Sequence, residues 1–464
     1  MNLTETPELS HAIETVKALL KGKTPGVFIM TLGCQQNEAD SEKLLGMALA
    51  MGYRPTADPA QAELILVNTC AIREHAEQRA LSIVGQYKHF KEANPQVIIG
   101  VCGCMSAEAH RVRQLQKSYP YVSFTMAPDA VHRLPELVAG ALRRQKRRFV
   151  SAGESRRTLE GIPTKRALPH RAWVSIMYGC DNFCSYCIVP YVRGREASRD
   201  SRAIVAEVEG LLDKGCKEIT LLGQNVNSYR SDCDFAGLLR RLATLPGEFL
   251  LRFMTSHPKD VPDELVATMA AFPDKIAPHF HLPLQSGSDR ILQAMNRRYT
   301  AAHYLGVVEK LRRHIPGIAL TTDIMVGFPG ETDEDFADTL GLLAQVRFDM
   351  VYSFLFSPRT GTPAADMPDQ VSAQTKAARM KALLALQDDI SLDCARAYLG
   401  REVRVLVDGP SKNDRSRYSG RTDTNKLVHF EAEPGDIGHY LPLTITRADA
   451  FALYGERCRQ KGTV

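Results

Sequence analysis

The stretch that decides the fold is Gly179-Cys180-Asp181-Asn182-Phe183-Cys184-Ser185-Tyr186-Cys187, a Cys-x3-Cys-x2-Cys loop. It directly follows residues 173–178, an apolar run with the length of a buried strand. Three thiolates at this spacing can ligate three irons of a four-iron cluster, which leaves the fourth iron open. A structural zinc site is the alternative, but such sites are closed by four ligands. No fourth Cys or His lies close to this loop in the sequence.

The loop opens a region in which short apolar runs alternate with helical patterns. Six such strand–helix units predict a barrel or partial barrel, with its site at the carboxyl ends of the strands. Polar residues follow several of the predicted strands, among them Gln224, Asn225, Ser286 and Asp323. The predicted strands are 173–178, 218–223, 249–255, 279–284, 318–325 and 350–355.

A second set of cysteines lies in the N-terminal region. Its near-continuous apolar runs predict parallel strands of a Rossmann- or flavodoxin-like α/β domain. Cys34, Cys70 and Cys104 each follow one of these strands, and the carboxyl ends of neighbouring parallel strands converge. We therefore expect a second cluster with one open iron, although chance cysteines in tight turns are the alternative. Cys102 competes with Cys104, because alternation points both residues to the same side of the strand.

The remaining chain divides by composition. Between residues 143 and 171 there are ten Lys or Arg against two acids, which predicts a basic linker that attracts a polyanion or is simply solvated. Short strands and turns near the C-terminus predict a small antiparallel β-barrel. The predicted segments are an N-terminal extension (1–24), a cluster-binding domain (25–142), the basic linker (143–165), the barrel core (166–396) and the small β-barrel (397–462).

The composition bounds the cellular setting. The chain has 464 residues and 11 cysteines, and it begins without the basic flank and apolar stretch of a secretory signal. No apolar run approaches the roughly 20 residues that a membrane span needs. We therefore expect a cytoplasmic protein without membrane attachment. Clustered thiols in that reducing setting indicate metal ligands or catalytic groups, and not disulfides.

The Cys180–Cys187 loop resembles that of the radical S-adenosylmethionine superfamily. In that superfamily the amino and carboxylate groups of S-adenosylmethionine chelate the open iron, beside which the sulfonium is cleaved by one electron. Residues 221–225 resemble the segment that binds the methionine moiety, and residues 322–332 resemble the adenosine-contacting strand and turn. The resemblance implies that Gln224, Asn225, Ser286 and Asp323 contact S-adenosylmethionine.

Residues 25–457 together resemble the methylthiotransferase family, with a three-cysteine domain, a radical core and a C-terminal TRAM-type barrel. This resemblance implies two [4Fe-4S] clusters, one held by Cys34, Cys70 and Cys104. It also implies two S-adenosylmethionine molecules per turnover. One methylates a sulfur on the N-terminal cluster, and the other gives a 5′-deoxyadenosyl radical that abstracts hydrogen from the substrate. A flavodoxin or ferredoxin as electron donor, an iron–sulfur carrier and a monomeric chain are further expectations.

The stretch from Tyr418 to Phe430 resembles the Gly-Arg-x3-Asn-Lys-x-Val-x-Phe signature of the branch that modifies isopentenyladenosine in tRNA. Residues 68–74 and 189–196 also match that branch. The implied product is 2-methylthio-N6-isopentenyladenosine next to the anticodon. Basic side chains beside an aromatic ring suit RNA, although a solvated basic hairpin is the alternative. The expected RNA-binding residues are Arg415, Arg417, Arg421 and Lys426, beside Tyr418.

Two other functions compete with this one. The branch that methylthiolates threonylcarbamoyladenosine in tRNA differs only in its target. An RNA-binding protein with structural or redox-sensing clusters is the non-enzymatic alternative, and it would not consume S-adenosylmethionine. A purely structural cluster gains by having four protein ligands, which both three-cysteine sets lack.

Overall fold

The N-terminal domain is built on a parallel sheet. The computed structural model describes residues 7–71, 74–150, 160–412 and 414–458. The first six strands are β1 (Gly26–Thr31), β2 (Arg54–Pro55), β3 (Ala62–Thr69), β4 (Ile98–Gly103), β5 (Phe124–Met126) and β6 (Arg148–Val150). They pair in parallel in the order β2-β1-β3-β4-β5-β6. β3 and β4 are buried almost throughout, as their apolar sequences predict for strands covered on both faces.

Helices cover both faces of this sheet. They are α1 (Pro7–Leu20), α2 (Gln35–Ala50), α3 (Glu74–Gln86), α4 (Lys88–Ala93), α5 (Ala109–Ser118) and α6 (Leu134–Leu142). α2 is unusual because polar residues on it are buried as well as apolar ones, including Gln36, Asp40 and Glu42. A helix with polar residues buried on one side and apolar residues on the other is packed between two bodies. Here the second body is the central domain.

Two predicted boundaries differ from the structure. The described part of the predicted extension, from residue 7, is not separate from the domain, because Leu9, Val16 and Leu20 of α1 are buried in the core beside α6. Their spacing of seven and then four residues places them on one face of an amphipathic helix. The linker prediction is wrong for residues 148–150, which form β6. Arg147 lies beside that strand and donates to the carbonyl oxygens of Gln116 and Tyr119, so this part of the basic run serves the fold. The basic residues 156 and 157 lie outside the described residues.

The central domain is an open, parallel partial barrel. Its strands are β7 (Arg171–Ser175), β8 (Met177–Tyr178), β9 (Ala197–Ser198), β10 (Glu218–Leu222), β11 (Leu250–Phe253), β12 (His279–His281), β13 (Ala319–Val326) and β14 (Met350–Leu355). β7, β10 and β11 form one parallel sheet, and β12, β13 and β14 form another. A parallel bridge between Leu251 and Ile276 joins them. This order of six main strands confirms the predicted partial barrel.

Helices surround the barrel, and one face of each strand packs under them. They are α7 (Val189–Arg193), α8 (Ser201–Leu212), α9 (Phe235–Ala243), α10 (Asp263–Ala271), α11 (Asp289–Ala294), α12 (Ala301–His314), α13 (Asp333–Val346) and α14 (Ala373–Arg396). Leu320, Ile324 and Val326 of β13 belong to this apolar layer. Alternation turns Thr321 and Asp323 of the same strand to the opposite side, the barrel interior. The interior is therefore partly polar.

The C-terminal domain is the small barrel that the sequence predicts. Its strands are β15 (Glu402–Pro410), β16 (Tyr418–Thr422), β17 (Leu427–Phe430), β18 (Tyr440–Ala448) and β19 (Leu453–Arg457). They close in the order β15-β16-β17-β19-β18, around a core that includes Val405, Val428 and Phe430. No described helix is long and apolar enough to cross a membrane.

The two outer domains both pack on the central one. α2 packs along β7, where the Gln36 side-chain amide donates to Ser175 Oγ at 3.0 Å. The small barrel packs on the amino ends of the central strands, where Arg252 donates to the Thr422 carbonyl oxygen at 2.7 Å. Lys426 pairs there with Asp349 at 3.0 Å. The carboxyl ends of the central strands, where the cysteine loop lies, therefore face away from the small barrel.

Two cysteine sites in the candidate active centre

The radical-type loop, defined here as Cys180–Cys187, starts at a close backbone approach. Gly179 has φ +73°, and a Cβ at that position would lie 2.1 Å from the Arg195 carbonyl oxygen. The Cys180 amide donates to the Gly194 carbonyl oxygen at 3.1 Å. Only glycine fits such a turn, because a side chain would collide with fixed backbone. The glycine therefore sets where Cys180 begins the loop.

Residues beyond α11 hold the loop from the other side. The Asn296 side-chain amide donates to the Phe183 carbonyl oxygen at 2.9 Å, and the Ser185 backbone N–H donates to the Met295 carbonyl oxygen at 3.0 Å. Arg297 is buried, and its guanidinium donates to Cys184 Sγ at 3.5 Å. The loop is thus fixed by hydrogen bonds before any metal binds.

Burial disfavours the thiolate forms of Cys180 and Cys187. It raises the pKa of Cys180 to about 11. It also raises the pKa of Cys187 to about 12, and the neighbouring Cys184 adds to the shift. Metal binding must displace the thiol protons, so cluster assembly releases protons and is favoured by higher pH. The three sulfurs lie within electrostatic reach of one another, as three corners of one cluster require.

Cys34, Cys70 and Cys104, the N-terminal cysteine site, lie together at the carboxyl edge of the sheet. A Cβ on Gly33 would lie 2.6 Å from Cys70 Cβ, so the turn after β1 touches the turn after β3. Burial raises the pKa of Cys104 to about 12, Arg193 opposes that rise, and Cys70 and Cys34 add to it. Cys34 and Cys70 are therefore neighbours of Cys104.

The structure also separates Cys104 from its competitor. Cys102 lies in the apolar core of the N-terminal domain, and burial raises its pKa to about 12. Cys104 lies beyond the end of β4, against Ala71, Ile188 and Val192. Alternation alone places the two on one side, but the chain turns at Gly103, where φ is +91°. That turn moves Cys104 out of the strand and toward Cys34 and Cys70.

A buried polar network fixes the turns that carry these three cysteines. The Asn37 amide donates to Asn68 Oδ1 at 3.2 Å and to the Thr69 carbonyl oxygen at 2.9 Å. The Asn68 amide returns a bond to the Asn37 carbonyl oxygen at 2.8 Å. Thr69 Oγ1 donates to the Cys102 carbonyl oxygen at 2.6 Å. Fully bonded buried networks specify one arrangement, so the site is preorganised by its polar neighbours.

Unpaired polar atoms mark a second feature of the centre, at the carboxyl ends of β10 and β11. Within the described residues, Gln224 Oε1, Asn225 Oδ1, Ser256 Oγ and His257 Nε2 are buried without a hydrogen-bond partner. Burial, and then Arg297, lowers the pKa of His257, so the ring is neutral. Its Nδ1 accepts from the Lys259 amide at 3.3 Å, which places the proton on Nε2. Unpaired donors and acceptors at the carboxyl ends of neighbouring strands fit a polar ligand such as the methionine moiety of S-adenosylmethionine.

The other two residues expected to contact S-adenosylmethionine differ from each other. Ser286 is fully buried, and its hydroxyl bonds Thr339 Oγ1 at 3.4 Å and accepts from the Ser288 amide at 3.2 Å. That hydroxyl is engaged in the fold. The Asp323 carboxylate is part-exposed on the barrel interior, 3.6 Å from His281 Nε2. Asp323 is therefore open to a ligand, whereas Ser286 supports the wall behind it.

Strained backbone surrounds the same space. Non-glycine residues with positive φ cluster at the loop and at the neighbouring strand ends. Such conformations cost free energy and persist where the surrounding structure holds them, often at functional sites. They are Phe183 (φ +46°), Thr255 (φ +68°), Gln285 (φ +71°), Asn296 (φ +57°) and Arg298 (φ +55°).

The expected RNA-binding residues divide into two groups. Arg415 is exposed and Arg417 is half-exposed. Arg417, but not Arg415, lines a groove of about 1050 Å³ together with Arg447 and Tyr454. Arg447 stacks on Tyr454 at 3.5 Å from the ring centre. Arg421 and Lys426 instead lie at the junction with the central domain, which corrects their prediction as RNA contacts. Lys426 is only 14% exposed and paired with Asp349, and burial lowers the pKa of Arg421.

Several residues that surround the two cysteine sites were not predicted from the sequence. Arg297 and Asn296 carry no motif that separates them from other polar residues after a helix. Asn37 and Asn68 stood beside the cysteines without an evident role. Arg193 lay in the 189–196 segment that matched the family, which was a signal, but nothing in the sequence indicated its contact with Cys104.

The arrangement of side chains in each three-cysteine site indicates whether it suits a single metal ion or a four-iron cluster. Among the residues that the structure describes, no three His, Cys, Asp or Glu side chains form a group that could hold a single metal ion. A four-iron cluster is larger than one ion and takes its thiolates at separate corners. The donor atoms in both sites are cysteine sulfurs, which bind iron–sulfur clusters as thiolates. Both sets fit the group that the sequence predicts.

Three family comparisons cover most of the chain. The radical SAM superfamily matches residues 174–343, the uncharacterized protein family UPF0004 matches residues 26–127, and the TRAM domain matches residues 396–457. In fold, the chain is similar to the radical S-adenosylmethionine methyltransferase TsrM from Kitasatospora setae. That similarity has a TM-score of 0.56 and 14% identity over 74% of this chain and 75% of that one.

Relatives with much higher identity carry a functional name. A tRNA-2-methylthio-N(6)-dimethylallyladenosine synthase from Thermoanaerobacter sp. (strain X514) is 48% identical over 94% of this chain and 93% of its own. A protein of the same name from Alkaliphilus oremlandii is 45% identical over 96% of both chains. Identity of this extent, across all three domains, shows common ancestry of the whole chain. The chain therefore belongs to the tRNA-2-methylthio-N(6)-dimethylallyladenosine synthase family, within the radical SAM superfamily.

Proposed function

We propose that this enzyme transfers a methylthio group to C2 of N6-isopentenyladenosine, next to the anticodon of tRNA. The observation that carries the proposal is the pair of three-cysteine sites, which lie on either side of α7 in a chain with methylthiotransferase relatives. Radical formation needs only one cluster with an open iron. A second such cluster needs a further role, and a reaction that transfers sulfur as well as forming a radical provides one.

Cys180, Cys184 and Cys187 would hold the cluster that membership of the radical SAM superfamily implies. With S-adenosylmethionine bound, that cluster supplies the one-electron chemistry that removes hydrogen from an unactivated carbon. The chain contributes position and exclusion of water. Asn296 and Arg297 hold the loop, and the unpaired atoms of Gln224 and Asn225 would bind the methionine moiety.

Ser256 and His257 extend that polar surface. The His257 Nε2–H is a buried donor and suits a carboxylate oxygen of the methionine moiety. Asp323, on β13, would accept from the hydroxyls of the adenosine ribose. Ser286 would act behind the site, because its hydroxyl is already bonded within the fold.

Cys34, Cys70 and Cys104 would hold the second [4Fe-4S] cluster, which would supply the place where the transferred sulfur is carried. The buried network of Asn37 and Asn68 would keep the three thiolates in place. The site lies at the contact between the N-terminal and central domains, so one substrate carbon can lie near both clusters.

The RNA would lie against the half-exposed basic residues of the small barrel, with Arg415 and Arg417 pairing with phosphates. We also infer a flavodoxin or ferredoxin as electron donor and an iron–sulfur carrier that restores the N-terminal cluster. The chain would act as a monomer in the cytoplasm.

The experiment is anaerobic reconstitution followed by incubation with isopentenylated tRNA, S-adenosylmethionine and reductant. We expect roughly eight irons per chain and a methylthio gain in the digested nucleosides, measured by mass spectrometry. The same tRNA without the isopentenyl group is the matched control. Activity only on threonylcarbamoyladenosine-containing tRNA would overturn the substrate assignment. About four irons with methylthiolation intact would overturn the two-cluster assignment.

A further inference from the structure

Arg193 crosses from the central domain into the N-terminal cysteine site. It is the last residue of α7, and its side chain is 5% exposed. Its Nε donates to Cys104 Sγ at 3.2 Å, and one Nη donates to Asp40 Oδ2 at 2.9 Å. A buried guanidinium is costly unless it is paired and hydrogen-bonded. These two partners, a carboxylate and a thiol, meet that requirement.

A chain of hydrogen bonds fixes the carboxylate partner. The Gln36 amide donates to Asp40 Oδ1 at 3.2 Å and to Ser175 Oγ at 3.0 Å. Ser175 ends β7, which leads into the radical-type loop, whereas Asp40 and Gln36 belong to α2, which begins directly after Cys34. The network therefore starts in the central domain, passes through α2 and reaches Cys104 through Arg193. Both cysteine sites are tied to the same few side chains.

Apolar packing encloses the other side of the Cys104 sulfur. Ile188 and Val192 flank it together with Ala71. Val192 lies in α7, which begins two residues after Cys187. The segment that carries a ligand of the radical-type loop therefore also covers a ligand of the N-terminal site. A shift of α7 would move both sites against each other.

We propose that Arg193 is a positioning residue, which holds the N-terminal cysteine site at a fixed place beside the radical-type loop and donates an N–H···S bond to the Cys104 ligand. The inference rests on the proposed second cluster. Hydrogen bonds to ligand sulfurs stabilise the reduced, more negative form of an iron–sulfur cluster and so raise its reduction potential. Arg193 would therefore set the potential of the N-terminal cluster from within the other domain.

Potentiometric titration of the reconstituted full chain, followed by electron paramagnetic resonance, tests the electronic part. Arg193→Met removes the donor and keeps the apolar stem, and Arg193→Lys keeps the charge without the guanidinium fork. We expect Arg193→Met to shift the N-terminal cluster to a more negative potential, and Arg193→Lys to shift it less. The radical cluster is the internal control and should keep its potential. Arg202→Met, at a side chain that is 87% exposed, is the matched surface control.

A metal-free readout tests the positioning part. Cys104 is 1% exposed, so its alkylation in the apo-protein requires local opening. We expect Arg193→Met to speed alkylation of Cys104 by about tenfold, because it removes a bond that closes the site. Circular dichroism reports whether the variant is folded. Asp40→Asn, which weakens the hold on Arg193 and leaves Cys104 intact, should raise the rate by a smaller factor.

The outcomes separate this inference from the proposed function. An unshifted second-cluster potential, or an equal shift in both clusters, would overturn the electronic role. An unchanged alkylation rate in folded Arg193→Met would overturn the positioning role. A wild-type chain that binds only about four irons would overturn the proposed second cluster and the electronic role together. The alkylation result would still decide whether Arg193 holds Cys104 in place.

Discussion

The two cysteine sites have three ligands each, but the ligands are close in sequence in one site and far apart in the other. The radical-type loop takes all three from eight consecutive residues, 180–187. The N-terminal site takes one from each of three strand ends, and these positions are separated by 36 and 34 residues. The first site is a local structure that the barrel supports. The second exists only when β1, β3 and β4 pair in register, so it is a product of the tertiary fold.

A buried arginine donates to one sulfur of each site, but the two arginines come from different places. Arg297 reaches Cys184 at 3.5 Å from within the central domain. Arg193 reaches Cys104 at 3.2 Å from the neighbouring domain. The radical-type loop is therefore complete within its own domain, whereas the N-terminal site depends on a domain contact. This difference predicts which changes break one site and spare the other.

The largest effects should come from removing the ligands. Replacing Cys180, Cys184 and Cys187 by alanine should abolish both the cleavage of S-adenosylmethionine and methylthiolation, because no radical forms. Replacing Cys34, Cys70 and Cys104 should abolish methylthiolation and leave reductive cleavage intact. Chromatography of 5′-deoxyadenosine and mass spectrometry of digested tRNA measure the two outputs on the same sample.

Cys102→Ala is the matched control for the N-terminal set. Cys102 is as buried as Cys104 and two residues away, but it lies in the apolar core. Its loss should cost some stability and leave both outputs in place. If Cys102→Ala abolished methylthiolation while Cys104→Ala did not, the assignment of the third ligand would have to be reversed.

The next largest effects should come from the glycines that shape each site. A Cβ on Gly179 would lie 2.1 Å from the Arg195 carbonyl oxygen, and one on Gly103 would lie 2.4 Å from the Thr69 carbonyl oxygen. Both have positive φ, so alanine is strained there as well as crowded. We expect Gly179→Ala to lower iron binding at the radical-type loop and Gly103→Ala to lower it at the N-terminal site, each by about half of the total.

Gly306→Ala is the control for this pair. Gly306 lies in α12 with open space around the added Cβ, so alanine should leave the iron content unchanged. It should raise the free energy of unfolding by up to about 1 kcal/mol, the gain in helix propensity. Spectroscopic iron counts that fell in all three variants would mean that they report stability and not site geometry.

The radical-type loop could be predicted from sequence because its ligands are local. The positions of the six main barrel strands followed from apolar runs, and the loop followed from spacing. The N-terminal site was predicted from topology, since parallel strands converge at one edge. Topology could not choose between Cys102 and Cys104 by itself, because the choice depends on the φ of Gly103.

The misjudged residues all depend on partners that are distant in sequence. Lys426 was expected on an RNA surface, but Asp349 lies 77 residues before it and pairs with it. β6 was hidden in a basic run, because only pairing with β5 identifies residues 148–150 as a strand. Arg193 showed no role until Asp40, 153 residues away, was placed beside it. Charge and composition describe a side chain but not its partner.

A smaller effect should follow from replacing Arg297, which donates to a sulfur of the radical-type loop as Arg193 does to one of the N-terminal site. Arg297→Lys removes the guanidinium fork that reaches Cys184 and the Pro283 carbonyl oxygen. We expect a more negative potential of the radical cluster and a several-fold slower formation of 5′-deoxyadenosine, with the N-terminal cluster unchanged. Potentiometric titration of both clusters in one sample measures this. A shift confined to the N-terminal cluster would contradict the separation of the two sites.

The smallest effect should come from the small barrel, which touches neither cluster. Arg417→Ala and Arg447→Ala each remove one cation from the groove beside Tyr454. Each should raise KM for tRNA several-fold, leave kcat unchanged and reduce the salt dependence of binding by about one unit of slope.

Lys426→Met should act differently, since Lys426 is paired with Asp349 at the domain junction. It should lower the thermal midpoint and leave the salt slope unchanged, because its charge does not face RNA. If Lys426→Met changed the salt slope as much as Arg417→Ala does, the tRNA would have to reach the junction between the small barrel and the central domain. It would then contact the amino ends of the central strands, whereas the radical-type loop lies at their carboxyl ends.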